Sequence, residues 1–396
     1  MVASRTADSI LDTAAGVPAF DAPITATRVG AAHAPLPASE ANAAEITLER
    51  VPDSAAVHDE WARLAEQSGS IFATPDWISI WSRNFTSGRP SLLTACRGPD
   101  GRLIALLPLY LRADAPARTV RFMGHGAGDE LGPICHPSDR PLAALALRHL
   151  LHENSSRWDL FLGERLPGTD DWAALLGGRS LFHTPSPVLT TGGVSFEEFL
   201  AARTANFRQQ VRGRERKLAR SHDLRYRLAD DPVRLQDDLT ILFELHNSRW
   251  GDKGSKTLSG SRAAFHREWA ARALRRGWLR LWFLEIDGAP VAAWYGFRFA
   301  GVESFYQAGR DPAWVDSSVG FVLMAHTIRE ALADGVREYR LLRGDDAYKG
   351  RFSNGDPGLQ TVGVASGVRG LATLAGAVAA SSMPSRGRAL ITRLTG

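Results

Sequence analysis

The stretch from Leu279 to Gly309, which reads LRLWFLEIDGAPVAAWYGFRFAGVESFYQAG, decides the fold. It contains three runs rich in aliphatic and aromatic residues, and the first two are joined across Asp287-Gly288. An Asp-Gly pair between two such runs is a strong signal for a β-hairpin. The stretch therefore predicts three consecutive strands, at 279–286, 290–299 and 302–309.

The sequence that follows extends this unit by a helix and a fourth strand. A helix is predicted from about Ser318 to Ala333, and Gly335 is well suited to end it. The run EYRLLRG at 338–344 reads as a buried strand. Because a helix connects them, the third strand and this one are expected to lie parallel in one sheet.

An earlier part of the chain shows the same order of elements. Strand-like runs at 91–98 and 102–113 flank an Asp-Gly turn, RTVRFMG is a third strand, and a helix at about 142–152 precedes DLFLG. Three pairs of equivalent positions have nearly equal separations: Asp100 and Asp287, Gly124 and Gly309, Gly163 and Gly344. The pattern predicts two copies of one α/β (α+β) unit. Coincidence is the alternative, because Asp-Gly turns are common.

Length and composition also favour two domains. The chain has 396 residues, of which 44% are hydrophobic and 23% charged, as in ordinary globular proteins. We predict a disordered leader over 1–45, an N-terminal domain over 46–190, a C-terminal domain over 191–365 and an Ala-rich basic tail over 366–396. A helix beginning at Pro75 is expected to face the core with Trp77, Ile80, Trp81 and Phe85.

Several protein classes are disfavoured. Cys96 and Cys135 are too few for a disulfide framework, and no Cys/His cluster suggests a metal site. The leader lacks the basic start and apolar block of a signal peptide, so a cytoplasmic location is expected. The uncharged run at 370–385 is short for a membrane span. The tail could still dock on a membrane surface or a synthase complex, or be disordered.

The start of the helix after the third strand is a candidate anion site. The backbone N–H groups of Ser318, Val319 and Gly320 would point towards a ligand at the carboxyl end of that strand, and the helix dipole attracts phosphate. Ser318 can cap the helix, and Gly320 lets a ligand approach the backbone. The alternative is an ordinary capped helix with a packing glycine.

Polar residues also crowd the end of the fourth strand, the usual place for function in α/β sheets. Asp345 could accept a proton from an amine or hydroxyl, and Tyr348 could protonate or orient a leaving thiolate. Lys349 could stabilise an oxyanion or hold an anionic substrate. Glu303, on the third strand, is a second candidate base. The alternative for this segment is a solvated polar loop.

Two other segments could contact substrates. His246 and Arg249 share a helix face next to Trp250 and could hold an acceptor, or could be a surface pair beside a core Trp. The Gly-rich run 124–128 lacks the Lys and Ser/Thr of a phosphate-binding loop. It could be a flexible loop beside the cleft between the two copies.

A basic helix lies between the copies. The segment from Arg203 to Arg227 contains eight arginines and one lysine but only two acidic residues, Glu215 and Asp223. The whole chain has a net charge of only +4, so nearly all of its basic excess lies in this segment. Four arginines repeat every fourth residue, opposite an apolar face; they are Arg208, Arg212, Arg216 and Arg220. This stripe could bind an anionic substrate, cofactor phosphates or RNA, or be a solvated face. The segment lacks the aromatic interleaving that would indicate stacking on nucleic-acid bases, and DNA is not expected as a partner.

The motifs together resemble the CelD/BcsL-type acetyltransferase family of the GNAT superfamily, which is similar to the tandem-domain Fem transferases. The resemblance covers about 46–365 and rests on six short motifs in the family's order. They are FATPDWISIWSRNF, RFMGHGAGDELGPI, LFELHNSRW, GAPVAAWYGFRFAG, FYQAGRDPAW and GDDAYKGRF.

The resemblance implies tandem GNAT-like domains with mixed sheets flanked by helices, and acyl transfer in envelope or exopolysaccharide synthesis. It places acyl-CoA (acetyl-CoA) in the second copy, with its pyrophosphate at 318–320, and an amino or hydroxyl acceptor on a small molecule or glycan. It also matches 344–349 to the family's Gly-Asp-x-x-Tyr-Lys pattern. One departure is that 316–320 holds a single glycine and an acidic residue, whereas typical GNAT loops are richer in glycine and basic residues. A Fem-like aminoacyl-tRNA donor and an inactive accessory protein are the alternatives.

Overall fold

The computed structural model describes residues 27–29, 46–52, 54–86, 91–113, 117–248 and 258–381. The first half holds strands β1 (Thr27–Val29), β2 (Ile46–Arg50), β3 (Ser91–Arg97), β4 (Leu103–Arg112), β5 (Thr119–Phe122), β6 (Ile134–Cys135), β7 (Leu160–Pro167), β8 (Arg179–Thr184) and β9 (Val188–Thr190). Its helices are α1 (His58–Ser68), α2 (Pro75–Phe85), α3 (Arg140–Glu153) and α4 (Trp172–Leu176).

The second half begins with two helices and ends with a strand and a helix. Its strands are β10 (Leu224–Leu228), β11 (Leu279–Ile286), β12 (Ala289–Phe299), β13 (Val302–Arg310), β14 (Glu338–Arg340) and β15 (Leu359–Ala365). Its helices are α5 (Phe196–Ala201), α6 (Ala205–Ser221), α7 (Leu235–Ser248), α8 (Gly260–Arg275), α9 (Val319–Ala333), α10 (Ala347–Phe352) and α11 (Gly367–Ser381).

The described strands form two mixed sheets of the same design. One has the order β1-β2-β3-β4-β5-β7-β15-β8 with β6 on β4, and the other has the order β10-β11-β12-β13-β14-β9. Each contains an antiparallel hairpin, β3–β4 or β11–β12, followed by a third strand. That strand pairs in parallel with the strand that follows the next helix, β5 with β7 and β13 with β14. The predicted duplication of one α/β unit is confirmed.

The two halves exchange strands. β15, from the end of the chain, lies antiparallel between β7 and β8 of the first sheet. β9, from the first half, lies antiparallel to β14 of the second. Neither sheet is complete without the other half, so strand pairing crosses the domain boundary predicted at 190. The division into domains along the chain stays a prediction.

A shared hydrophobic core also joins the halves. The Trp77 ring of α2 lies edge-on against Phe265 and Trp269 of α8, at centroid distances of 5.0 and 4.8 Å. As predicted, Trp77, Ile80 and Trp81 are at most 2% exposed. Next to them the buried carboxylate of Asp76 pairs with two arginines of α8 and its C-terminal end, Arg272 and Arg276. Packing of aromatic rings and a shielded ion pair therefore fix one half against the other.

The ends of the chain are only partly described. Within the predicted leader, Thr27–Val29 is a strand on β2, and the rest of 1–45 lies outside the described residues. In the predicted tail, α11 packs on the first sheet through Leu374, Ala377 and Ala380, while the basic end of the tail lies outside them. Within the ranges that the structure describes, no helix has the length and apolar character needed to cross a membrane.

Candidate functional site

The parallel pair β13 and β14 separates where the candidate site residues begin. Only Val302–Ser304 pairs with β14, although β13 continues to Arg310. β14 was predicted to reach 344 but ends at Arg340, because Leu342 adopts a left-handed backbone with φ of 53°. A register shift opposite Tyr295 and Gly296 bulges β13 at Tyr306. These features leave the second part of β13 without a strand neighbour on its β14 side among the described residues.

Helix α7 closes one side of this gap. His246 Nδ1 donates to Ala308 O at 2.9 Å, and Ser248 Oγ donates to Arg310 O at 3.2 Å. His246 is 1% exposed. The imidazole is buried against β13 and acts as a tether to its backbone, and a role in holding an acceptor stays a prediction. Arg249 and Trp250, predicted beside it, lie outside the described residues.

The start of α9 presents backbone donors to open space. Ser318 occupies the N-cap position, but its φ is 56° and its side chain makes no capping hydrogen bond. The predicted side-chain cap is absent because capping needs an extended N-cap residue. Val319 is buried, so only its backbone is available, whereas a Cβ built on Gly320 meets no atom within 4 Å. The first turn of α9 is thus an uncapped N-terminus next to open space.

Three predicted residues lie in the loop after β14 and at the start of α10. Asp345 is exposed, and Tyr348 packs partly buried against the core under α9. Lys349 is 5% exposed, and its Nζ donates to Arg343 O at 2.7 Å and to Leu342 O at 3.4 Å. The ammonium group therefore holds the loop in place. The contacts favour a positioning role over direct contact with an oxyanion.

We expect Lys349→Met to lower the free energy of unfolding by about 1–3 kcal/mol, because the carbonyls of Leu342 and Arg343 lose their donor. Urea unfolding measures this. Lys217→Met, at an exposed position on α6, is the matched control and should leave stability unchanged. Equal stability of the two variants would contradict the positioning role.

Glu303 is not brought to the site. It is the second residue of β13, it is fully buried, and Arg298 Nε donates to its Oε2 at 2.6 Å. Arg298 also pairs with Asp334, just past the C-terminal end of α9. Burial raises the pKa of Glu303, against the opposing effect of Arg298. Because α9 returns along β13, this ion pair lies near the opposite end of α9 from Gly320, and we leave Glu303 out of the proposed site.

The Gly-rich run at 124–128 continues to Gly132 as a loop, here called the seam loop, that lies between the halves and borders the bulge in β13. Tyr306 donates through its hydroxyl to Ala127 O at 2.8 Å. The Asp129 carboxylate lies 3.6 Å from Arg165, within β7 of the first half, and 3.5 Å from Arg343, which follows β14 of the second half. The loop is therefore held from both sides, at the position where an acceptor could approach β13.

Charges at the seam loop are strongly coupled. Burial alone raises the pKa of Glu164, but His125, Arg121 and Arg165 outweigh it and hold that pKa well below its usual value. Burial lowers the pKa of His125 in spite of Glu164. At neutral pH the carboxylate of Glu164 is therefore charged, and it pairs with Arg121 at 3.2 Å.

A pair of buried polar rings under the seam loop escaped prediction from sequence. Burial, with help from Arg262 and His246, lowers the pKa of His266 to about 3, so this ring is neutral. Burial also raises the pKa of the Tyr306 phenol, which stays a hydrogen-bond donor. Both residues sit among aromatic residues in the sequence and look like core positions. Only the fold shows that the bulge turns Tyr306 towards the seam loop.

The first half has a cavity of about 220 Å³ at the equivalent place, near the ends of β5 and β7 and the start of α3. Its charged lining is already paired: Arg140 with Asp170 at 2.5 Å, and Arg340 with Glu130 at 2.8 Å. An arginine thus occupies the first turn of α3, where the second half has the open Gly320. The second half is accordingly the better candidate for binding an anionic ligand. Among the described residues no group of three or more potential metal ligands is present.

The family model that matches this chain also lies in the second half. Residues 205–350 match the family model described as an acetyltransferase (GNAT) domain. This range includes 318–320 and 345–349, so the chain contains a GNAT-type acyltransferase domain in its second half. No curated protein matches the chain.

Solved structures resemble almost the whole fold. FemX is 12% identical over 80% of this chain and 97% of its own, with a TM-score of 0.57. The C-terminal domain (DUF2156) of a putative lysylphosphatidylglycerol synthetase from Agrobacterium fabrum is 11% identical over 81% and 95%, with a TM-score of 0.53. L-PGS from Bacillus licheniformis is 13% identical over 88% and 98%, with a TM-score of 0.51. At these identities the likeness concerns the fold alone, and it confirms the predicted tandem GNAT-like architecture.

Proposed function

We propose that the second half transfers an acyl group from acyl-CoA, in the first instance acetyl-CoA, to an amino or hydroxyl group. The observation that carries the proposal is the separation of β13 from β14 beside the uncapped start of α9. An extended pantetheine chain fits beside a strand edge without a neighbour, and a pyrophosphate fits an open helix N-terminus. The donor pyrophosphate accordingly binds at 318–320.

The proposed reaction is direct transfer. The acceptor nitrogen or oxygen forms a bond to the thioester carbonyl carbon, the carbon–sulfur bond breaks, and CoA thiol leaves. Asp345, exposed in the loop between β14 and α10, accepts the proton that the acceptor loses. Tyr348 donates a proton to the leaving thiolate or orients it. Lys349 keeps the loop that carries both residues in place.

The acceptor is proposed to approach between the seam loop and β13, and to be a small molecule or a glycan. Resemblance to the CelD/BcsL-type family supports a role in envelope or exopolysaccharide synthesis, because 344–349 keeps that family's Gly-Asp-x-x-Tyr-Lys pattern. One structural neighbour is named as a putative lysylphosphatidylglycerol synthetase, a name that denotes synthesis of a lipid.

Calorimetric titration of the full chain with acetyl-CoA tests the proposal. We expect saturable binding in the micromolar range. An absence of binding to acetyl-CoA and to longer acyl-CoA esters would reject the acyl-CoA reading.

The basic α6 favours one rival donor, an aminoacyl-tRNA as used by Fem transferases. That donor predicts tRNA affinity that falls steeply as salt rises, because phosphate contacts release counterions. Titration with tRNA at two salt concentrations separates the readings. Binding of neither donor would favour an inactive accessory protein of a synthase complex.

A further inference from the structure

An aromatic cluster under the start of α9 carries two arginines on one ring. Phe321, the residue after Gly320, packs against Phe207 of α6 and Phe352 of α10 at centroid distances of 5.9 and 5.2 Å. The Arg214 guanidinium lies 4.7 Å from the Phe321 centroid, and that of Arg351 lies 5.3 Å from it. Helices α6, α9 and α10 therefore converge to bring two cations to the first turn of α9.

Neither arginine has an ion-pair partner within the described part of the chain. Arg351 donates to Gln210 Oε1 at 2.8 Å, which is a neutral acceptor. Burial lowers the pKa of Arg214, and the neighbouring Arg351 lowers it further. The pair therefore carries two positive charges, half removed from water, with no carboxylate between them.

Two other charged residues of α6, Arg212 and Glu215, have ion-pair partners. Arg212 pairs with Glu197 at 2.5 Å. Glu215, the one acidic residue of α6, pairs with Arg329 at 3.0 Å, so its carboxylate already has a cationic partner.

Arg227, further along the basic segment, pairs with Asp238 and Glu285. The other basic residues of this segment have no carboxylate partner among the described residues, so Arg214 is distinguished by sharing the Phe321 ring with Arg351 of α10. Cation–π contact with Phe321 favours keeping both guanidinium groups beside this ring.

A phosphate monoester matches this arrangement. Two guanidinium groups offer paired N–H donors that fit phosphate oxygens, and a doubly charged monoester balances both. CoA has such a group, the 3′-phosphate of its adenosine, in addition to the pyrophosphate. Gly320 and Phe321 are adjacent, so one ligand can reach both places.

We propose that Arg214 and Arg351 bind the 3′-phosphate of the acyl-CoA donor and make the site discriminate CoA from 3′-dephospho-CoA. The inference rests on the proposed function and adds a specificity determinant to it. It assigns a role to Arg214, which the predicted stripe of Arg208, Arg212, Arg216 and Arg220 did not include, and to Arg351 of α10.

The test is calorimetric titration of the full chain with CoA and with 3′-dephospho-CoA at fixed ionic strength. We expect the wild-type protein to bind CoA about 10- to 100-fold more tightly. The double variant Arg214→Gln and Arg351→Gln should lower CoA affinity to the level of 3′-dephospho-CoA and leave the latter unchanged. Each single variant is expected to lose part of the preference.

Arg216→Gln, exposed on the same helix, is the matched control and should keep the full preference. Thermal unfolding of each variant checks that the fold is intact. If the double variant unfolds, Arg351→Gln alone decides the matter. Equal affinity of the wild type for the two ligands, or equal losses on both in the variants, would overturn the inference while leaving the proposed donor. Absence of binding to either ligand would reject the proposed function itself. Binding of tRNA in place of CoA, weakened by the double variant, would assign the pair to a tRNA phosphate and overturn the 3′-phosphate reading.

Discussion

Gly320→Glu is expected to weaken acetyl-CoA binding at least ~100-fold without destabilising the protein. The new side chain points into open space, because no atom lies within 4 Å of a Cβ built there. A carboxylate at the start of a helix interacts favourably with the helix dipole, by about 0.3–1 kcal/mol. It also occupies the place proposed for the pyrophosphate. Like charges about 4 Å apart in a partly shielded site repel by roughly 4 kcal/mol.

Gly320→Ala is the matched control, since it adds one methyl group and no charge. We expect it to bind acetyl-CoA within a few-fold of the wild type and to be slightly more stable, because alanine is the better helix former. Calorimetry gives the affinities, and thermal unfolding shows whether the fold is retained. Wild-type affinity in Gly320→Glu would mean that the donor phosphates bind elsewhere.

The local parts of the fold could be predicted because their signals lie within a few residues. Asp287 and Gly288 both adopt positive φ, at 51° and 82°, as a tight hairpin turn requires. The helical spacing of Trp77 and Trp81 correctly placed both rings in a core. Hydrophobic patterning and turn residues therefore suffice for the hairpins, the helices and the duplication.

Strand exchange could not be predicted, because it depends on pairing between distant segments. The residues of β9 and β15 carry no local signal of the sheet to which each strand belongs. In the structure β9 pairs with β14 of the second sheet, and β15 pairs with β7 of the first. The early end of β14 has a similar cause. EYRLLRG has the composition of a longer strand, but Leu342 turns left-handed and its carbonyl is held by Lys349.

The roles of the candidate site residues stay predictions, but the structure shows which of their side chains are accessible. Gly320 lies at an open helix start, and Asp345 is exposed in the loop after β14. His246 and Glu303 were assigned substrate and base roles on residue type, yet both are buried and bonded inside the sheet region. Residue type gives the chemistry a side chain can perform, whereas reach depends on packing that the sequence does not display.

Gly309→Ala is expected to lower the free energy of unfolding by about 3 kcal/mol, the upper range for overpacking. A Cβ at this position would lie 2.4 Å from His246 N and 2.5 Å from the carbonyl carbon of Leu245. Both are backbone atoms, so no side-chain rotation can relieve the contact. Helix α7 must move away from β13, and the bonds to Ala308 O and Arg310 O weaken with it.

The same chemical change at Gly213 is the matched control, because a Cβ there, within α6, meets no atom within 4 Å. Gly213→Ala should raise the free energy of unfolding by about 0.5–1 kcal/mol. Urea unfolding of both variants measures the contrast, and stability of Gly309→Ala equal to the wild type would refute direct packing of α7 on β13. Because α7 borders the free part of β13, Gly309→Ala should also weaken acetyl-CoA binding. Gly309→Ala is thus expected to lose both affinity and stability, because it damages the wall of the cleft. Gly320→Glu is expected to lose affinity alone.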